Sequence, residues 1–213
     1  MFTSRVMVAL VAAALAWLPA SAEVISFSGQ MSDQDQPDAG VFDGQVVWGF
    51  DAGTNVLTMQ IFNQTVAPNA YTLSFLWFNV SSDVTSLSII DDGSLSGTSL
   101  NTNQSAGPFG TYDYEFDLGS PGNAGLAANS NVTVTFLVGG SNLDVLDFFS
   151  GLPSGGSPEF EGNLSVIHWT RGPGDDSVFA GSLNQDVVPE PATLGLLGLG
   201  LAFLGMRGRT KRS

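Results

Sequence analysis

The chain has no cysteine, one histidine and one lysine in 213 residues. Without thiols it forms no disulfide, no thiolate metal site and no cysteine nucleophile, so its stability must come from packing. A lone histidine, His168, would need carboxylates as its only partners at zinc, an unusual donor set. No Gly-x-Ser-x-Gly elbow occurs, and a Ser-His-Asp triad drawn from so many Ser and Asp residues would carry no information. Positive charge is scarce as well. Six Lys and Arg face twenty Asp and Glu, and over residues 23–188 Arg171 alone faces nineteen acids, a net charge of −18. Nucleic acid and anionic lipid are bound by cations that displace counterions, so nucleic acid is excluded as a partner.

What is present is concentrated at the two ends. Arg5 precedes the apolar run Val6 to Leu18, and Ala20-Ser21-Ala22 then stands before Glu23. A positive start, a short apolar stretch and an A-x-A site make a secretory signal peptide. Residues 1–22 are therefore expected to engage the Sec machinery and to be cut by signal peptidase between Ala22 and Glu23.

The other end reads Pro189-Glu190-Pro191, then an uncharged run Ala192 to Met206, then Arg207, Arg209, Lys211 and Arg212. The prolines fix φ and disfavour helix at the residue before each, so 187–191 should be extended and accessible. As a helix, 192–206 would rise roughly 22 Å, short of the ~30 Å hydrocarbon core, making a marginal membrane span. The four cations would stay cytoplasmic and leave everything before Pro189 outside.

This three-part tail resembles the Pro-Glu-Pro C-terminal sorting signal (PEP-CTERM) of exported proteins in Gram-negative bacteria. The resemblance covers 189–212 with all parts in order. It implies an integral-membrane exosortase that cuts at or near Pro189–Pro191. The protein would be anchored briefly in the inner membrane through 192–206. It would then reach the cell surface or the medium, commonly in bacteria that make exopolysaccharide.

Between the ends lies one acidic domain, 23–186, long enough for a substantial core. Its pattern is short strands punctuated by Gly, Asn, Ser and Asp. Tyr112 to Leu118 and Val132 to Val138 alternate perfectly, the mark of half-buried antiparallel strands. Seven weaker runs read likewise: Val24–Ser28, Gln45–Phe50, Val56–Asn63, Thr72–Asn79, Val84–Ile90, Leu164–Thr170 and Val178–Gly181. Asp51 to Asn55 reads as a hairpin turn. Ser141-Asn-Leu143-Asp144 carries a cap signature ahead of helically spaced apolar residues, which predicts one short helix over 141–150. Eight or nine strands with one helix predict an all-β single sandwich of jelly-roll type. Short phrases such as Phe50 to Met59 and Val166-Ile-His168 are loosely similar to other domains bearing this tail, and imply the fold without a substrate.

Candidate chemistry inside the domain is thin. His168 is expected to be structural and hydrogen-bonded. The acid pairs Asp91-Asp92, Glu159/Glu161 and Asp175-Asp176 are the raw material of glycoside hydrolysis, but Asp is also the residue that turns favour. Asp33, Asp35 and Asp38 resemble a calcium loop without the Gly and closing Glu of an EF-hand, and are the one metal candidate. Trp48, Trp77, Trp169, Phe75, Phe78, Tyr112 and Tyr114 are expected in the core, although a row of them exposed on one sheet would make a carbohydrate platform. The composite reading is a non-catalytic surface or matrix protein with no cofactor beyond that calcium, associated with exopolysaccharide. The alternatives are a lectin-like module and a carbohydrate-acting hydrolase.

Overall fold

Strand-forming, alternating segments pair into two antiparallel sheets. In a computed structural model of the protein the described residues are 22–28, 43–66, 71–119, 125–160, 162–170, 177–182 and 185–186. They contain eleven strands: β1 (Ala22–Ser28), β2 (Asp43–Asp51), β3 (Val56–Asn63), β4 (Thr72–Phe78), β5 (Val84–Asp91), β6 (Ser99–Ser105), β7 (Thr111–Asp117), β8 (Ser130–Gly140), β9 (Ser165–Thr170), β10 (Val178–Ser182) and β11 (Gln185–Asp186). One sheet has the order β11-β1-β2-β3-β8-β5, the other β10-β9-β4-β7-β6. The chain changes sheet at most connections, which ties the two layers into one sandwich.

The core lies between the sheets. The six-stranded sheet contributes Ile25, Val46, Trp48, Met59, Ile61 and Phe136, and the five-stranded sheet Leu73, Leu76, Phe78, Phe116, Ile167 and Trp169. Trp48 meets Phe78 and Phe149 edge-on at 5.1 and 5.0 Å. Each such side chain contributes about 1.5–3 kcal/mol on full burial, the source of stability that replaces disulfides. Asn63, which the sequence placed in a strand, fixes a crossing between layers. Its Nδ2 donates to the carbonyls of Tyr71 (2.8 Å) and Leu126 (2.9 Å), and its Oδ1 accepts from Trp169 Nε1 at 3.3 Å.

The all-β sandwich expected from the sequence is what the structure has, and the nine expected strands are present. Two more are added. β6, Ser-Leu-Asn-Thr-Asn-Gln-Ser, has no alternation to read because it is an edge strand held by β7 alone. β11 is two residues long and pairs only with β1. The predicted short helix needs correction: it is a single 3₁₀ turn, Val145–Phe148, capped by Asp144 rather than Ser141. Asp144 Oδ1 accepts from the Leu146 N–H at 2.8 Å, and Asp147 Oδ2 accepts from the Asp144 N–H at 2.7 Å. The capping box thus sits three residues later than the sequence suggested, and the turn is short because Phe148 and Phe149 must both reach the core. The Asp51–Asn55 hairpin forms as expected: Asp51 Oδ1 accepts from Gly53 N–H, Oδ2 from the Thr54 hydroxyl, and Asn55 takes positive φ.

Residues 1–21 of the expected signal peptide and the apolar C-terminal run fall outside the described residues. Among the described residues, no helix is long and apolar enough to cross a membrane.

Candidate functional site

Three places in the domain could carry function: the outer face of the five-stranded sheet, the acidic turns, and the edge from which the C-terminal tail departs. The first is the most elaborate. β4 is nearly continuous in apolar residues, Leu73, Phe75, Leu76, Trp77 and Phe78, because it is covered on both sides. A β-bulge between Leu73 and Phe75 turns Phe75 and Trp77 outward. Register then sets Phe179, His168, Phe75 and Asp117 in one row across β10, β9, β4 and β7. Gly181, Val166, Trp77, Glu115 and Asn101 form the next row.

A roof made by 106–110, 157–160 and 162–163 lies over the second row. Phe109 and Phe160 pack 4.5 Å apart, in one cluster with Trp77, Val166, Ala106 and Tyr112. Tyr112 donates its hydroxyl to the Asn163 carbonyl at 3.1 Å, and burial pushes its pKa up. Glycine at 181 is required here, since a Cβ would collide with Asn163 and Phe109. A cavity of about 340 Å³ opens within this roof beside Phe109, Leu152, Pro153 and Gly156.

The first row is the rim of the roof. His168 lies between Phe179, at 4.1 Å and 17°, and Phe75, at 5.7 Å and 25°. Both imidazole nitrogens are buried without a hydrogen-bond partner, and burial holds the pKa down at about 4. The structural role expected of His168 is therefore met by stacking, not by the hydrogen bonds the sequence suggested. A nitrogen that reaches no nucleophile or substrate path is poorly placed as a general base. The stack also bears on sugar recognition. Rings stacked across neighbouring strands turn their faces to one another and their edges to solvent, whereas a sugar packs its C–H face on the flat of a ring. Trp48 and Trp169 are fully buried and Trp77 is 3% exposed, so the tryptophans serve packing.

The acidic turns are occupied by their own backbone. Asp91 Oδ1 accepts from Gly93 N–H at 2.9 Å, and Asp92 accepts from Ser94 N–H and the Thr98 hydroxyl at 3.1 and 3.0 Å. Asp117 accepts from Gly119 N–H, and Glu115 from Asn101 Nδ2 at 2.9 Å. Among the described residues no three of His, Cys, Asp and Glu converge as metal ligands. Asp33, Asp35, Asp38, Glu161, Asp175 and Asp176 lie outside the described residues, so the calcium candidate is not placed. Asn63, Asn79 and Asn163 are buried amides with structural bonds.

The third place is the sheet edge. β1 begins at Ala22, opposite Gly49, and Glu23, opposite Trp48, is buried. Its other neighbour is β11, with Val24 opposite Asp186. The last described residue before the tail is thus two strands from β2 and beside the first residues expected in the mature chain. Pro189, Glu190 and Pro191 begin three residues later.

Comparison with protein families matches residues 187–211 to the PEP-CTERM protein-sorting motif. The chain carries a PEP-CTERM sorting signal. It is thereby marked as an exported protein addressed to an exosortase. No curated protein and no solved structure matches the chain. The sequence did not reveal that Phe75 and Phe179 stack on His168; the signal for a second covered face was the nearly continuous apolar run in β4.

Proposed function

We propose that this PEP-CTERM protein is a non-catalytic component of the cell surface or extracellular matrix, held among exopolysaccharide after processing. The observation that carries the reading is the sorting motif starting at residue 187, directly after the final strand residue Asp186. Export would begin through the Sec machinery, with signal peptidase cutting between Ala22 and Glu23. The apolar run 192–206 would then hold the folded domain at the inner membrane, and Arg207, Arg209, Lys211 and Arg212 would fix its orientation. Prolines at 189 and 191 keep the peptide extended, the form a processing enzyme accepts. Carboxylates engaged by turn N–H groups and by Asn101, together with a histidine locked in an aromatic stack, favour a structural domain over an enzyme.

The test is mass spectrometry of the protein recovered from its native host's surface and medium. The expected result is a start at Glu23 and no peptide from 192–213. A Pro189→Ala/Glu190→Ala/Pro191→Ala variant should keep its C-terminus and stay with the membrane fraction. Recovery of the intact C-terminus in most wild-type molecules would overturn the processing step.

A further inference from the structure

The outer face of the six-stranded sheet is unlike the rest of this acidic surface. Alternation along β1, β2, β3, β8 and β5 sends one set of residues outward, and every outward position between the strand ends is uncharged. Carboxylates belong to the margins: Asp43, Asp51 and Asp91 at strand ends, and Asp186 on the edge strand β11, in register with outward Val24. Thr58 pairs with Thr135 and Gln60 with Thr133 near the centre, while Val56 pairs with Leu137 toward one side. Leu137 is 50% and Ile90 56% exposed, two of the few large apolar side chains left open among the described residues. Neither a histidine nor a tryptophan stands on its described outward positions.

We infer that this face is where two copies of the chain meet, sheet against sheet. Charge selects the occupant. Each copy brings −18 over 23–188, so contact through an acidic surface sets carboxylate against carboxylate, whereas two copies can touch through this face without doing so. Packing agrees: an open Val/Thr/Leu sheet surface can pack on a second copy of itself, with side chains interdigitating across ~10 Å. Phe62 is the one outward aromatic of β3, half-buried between Gln45 and Asn131, so a glycan would find no row of open rings. Six strands at ~4.8 Å and runs of about seven residues at ~3.3 Å give a footprint of roughly 24 by 23 Å. That is smaller than the ~800 Å² per partner of a standard interface. The association is therefore weak and concentration-dependent, which suits a protein gathered densely at a surface. Its salt response is diagnostic: screening the residual repulsion strengthens it, where an interface of complementary charges would weaken.

The absence of cysteine makes the test direct. In the full-length chain, solubilised in detergent, Thr58→Cys should form a disulfide-linked dimer under mild oxidation, and more of it as sodium chloride is added. Thr102→Cys, exposed on the opposite sheet, carries the same tail and should remain monomeric. Sedimentation of the cysteine-free parent should show mass rising with concentration, and Leu137→Glu should abolish the rise without moving the melting temperature. Equal cross-linking at both positions, a parent that stays monomeric, or association that weakens with salt would each overturn the proposal.

Discussion

The outward residues of β4, β9 and β10 are Phe75, Trp77, Val166, His168 and Phe179, and a roof anchored by Phe109 and Phe160 closes over half of them. The equivalent positions on β2, β3 and β8 are Val47, Thr58, Gln60, Thr133 and Thr135, and no described segment packs on them as a core. The difference is written in period. Between their ends β2 and β3 alternate strictly between buried and half-buried residues, whereas β4 and β9 bury consecutive residues on both sides. Strict alternation marks a sheet with one wet face, and an unbroken apolar run marks a strand covered on both. One sandwich therefore has a second, smaller core outside one sheet and a neutral open plain outside the other.

The sharpest way to break this contrast is to cut one residue from each face. Phe109 is fully buried under the roof, so Phe109→Ala should cost about 3–5 kcal/mol, as large buried truncations do. Leu137→Ala, at a half-exposed site, should cost under about 1 kcal/mol. Urea unfolding monitored by tryptophan fluorescence measures both. If the two midpoints move equally, the roof is no part of the folded core and the outer aromatic row is merely surface.

A second test concerns the rim. His168 is stacked between Phe75 and Phe179, and burial lowers its pKa to about 4. The folded state then binds fewer protons than the unfolded chain, whose histidine titrates near ~6.5. The neutral stack's stability is complete above that value and is lost as pH falls through ~6.5 toward about 4, by at most about 3 kcal/mol. Asp117 stands one strand beyond Phe75 in the same row. Its charge would soften the loss. His168→Phe keeps the stack and removes the titration, so its stability between pH 6.5 and 4 should decline less than wild type, as read by thermal melts across that range. An unchanged acid limb would place the sensitivity elsewhere. Mild acid also relieves carboxylate repulsion, which acts in the opposite direction, and the variant separates the two.

Much of this was legible in the chain. Perfect alternation in Tyr112–Leu118 and Val132–Val138 marked β7 and β8 as strands with Phe116, Val132, Val134, Phe136 and Val138 inward, while Tyr112 joined the roof instead. Asp-Ala-Gly-Thr-Asn announced the β2–β3 hairpin. What escaped notice lacked a local signal. β6 is polar but for Leu100 and is a strand because β7 supplies a partner. β11 is too short for any pattern and exists through pairing with β1. The stack around His168 joins residues 75, 168 and 179, which only tertiary register brings together. The 3₁₀ turn misled because Ser141 and Asp144 both offer caps, and which one wins depends on where Phe148 and Phe149 must bury. The sorting signal, by contrast, is linear, and its three parts are recognisable in sequence order alone.

The smallest effect distinguishes local from global charge. Asp113, Glu115 and Asp117 share one side of β7, successive members about 7 Å apart, where unit charges repel by ~0.6 kcal/mol in water and less in salt. Glu115→Gln removes the middle charge yet keeps a carbonyl oxygen to accept from Asn101, so it should raise the melting temperature by about 1 °C at low salt. Added sodium chloride should erase that gain while raising the wild-type value. Thr133→Glu places a new carboxylate on the neutral face, exposed and opposite Gln60. If repulsion acts through the crowded row, the monomer's melting temperature ignores this second change. If it acts through the total of −18, the two variants must shift by equal and opposite amounts, and the neutral face then has no special electrostatic standing in the isolated domain.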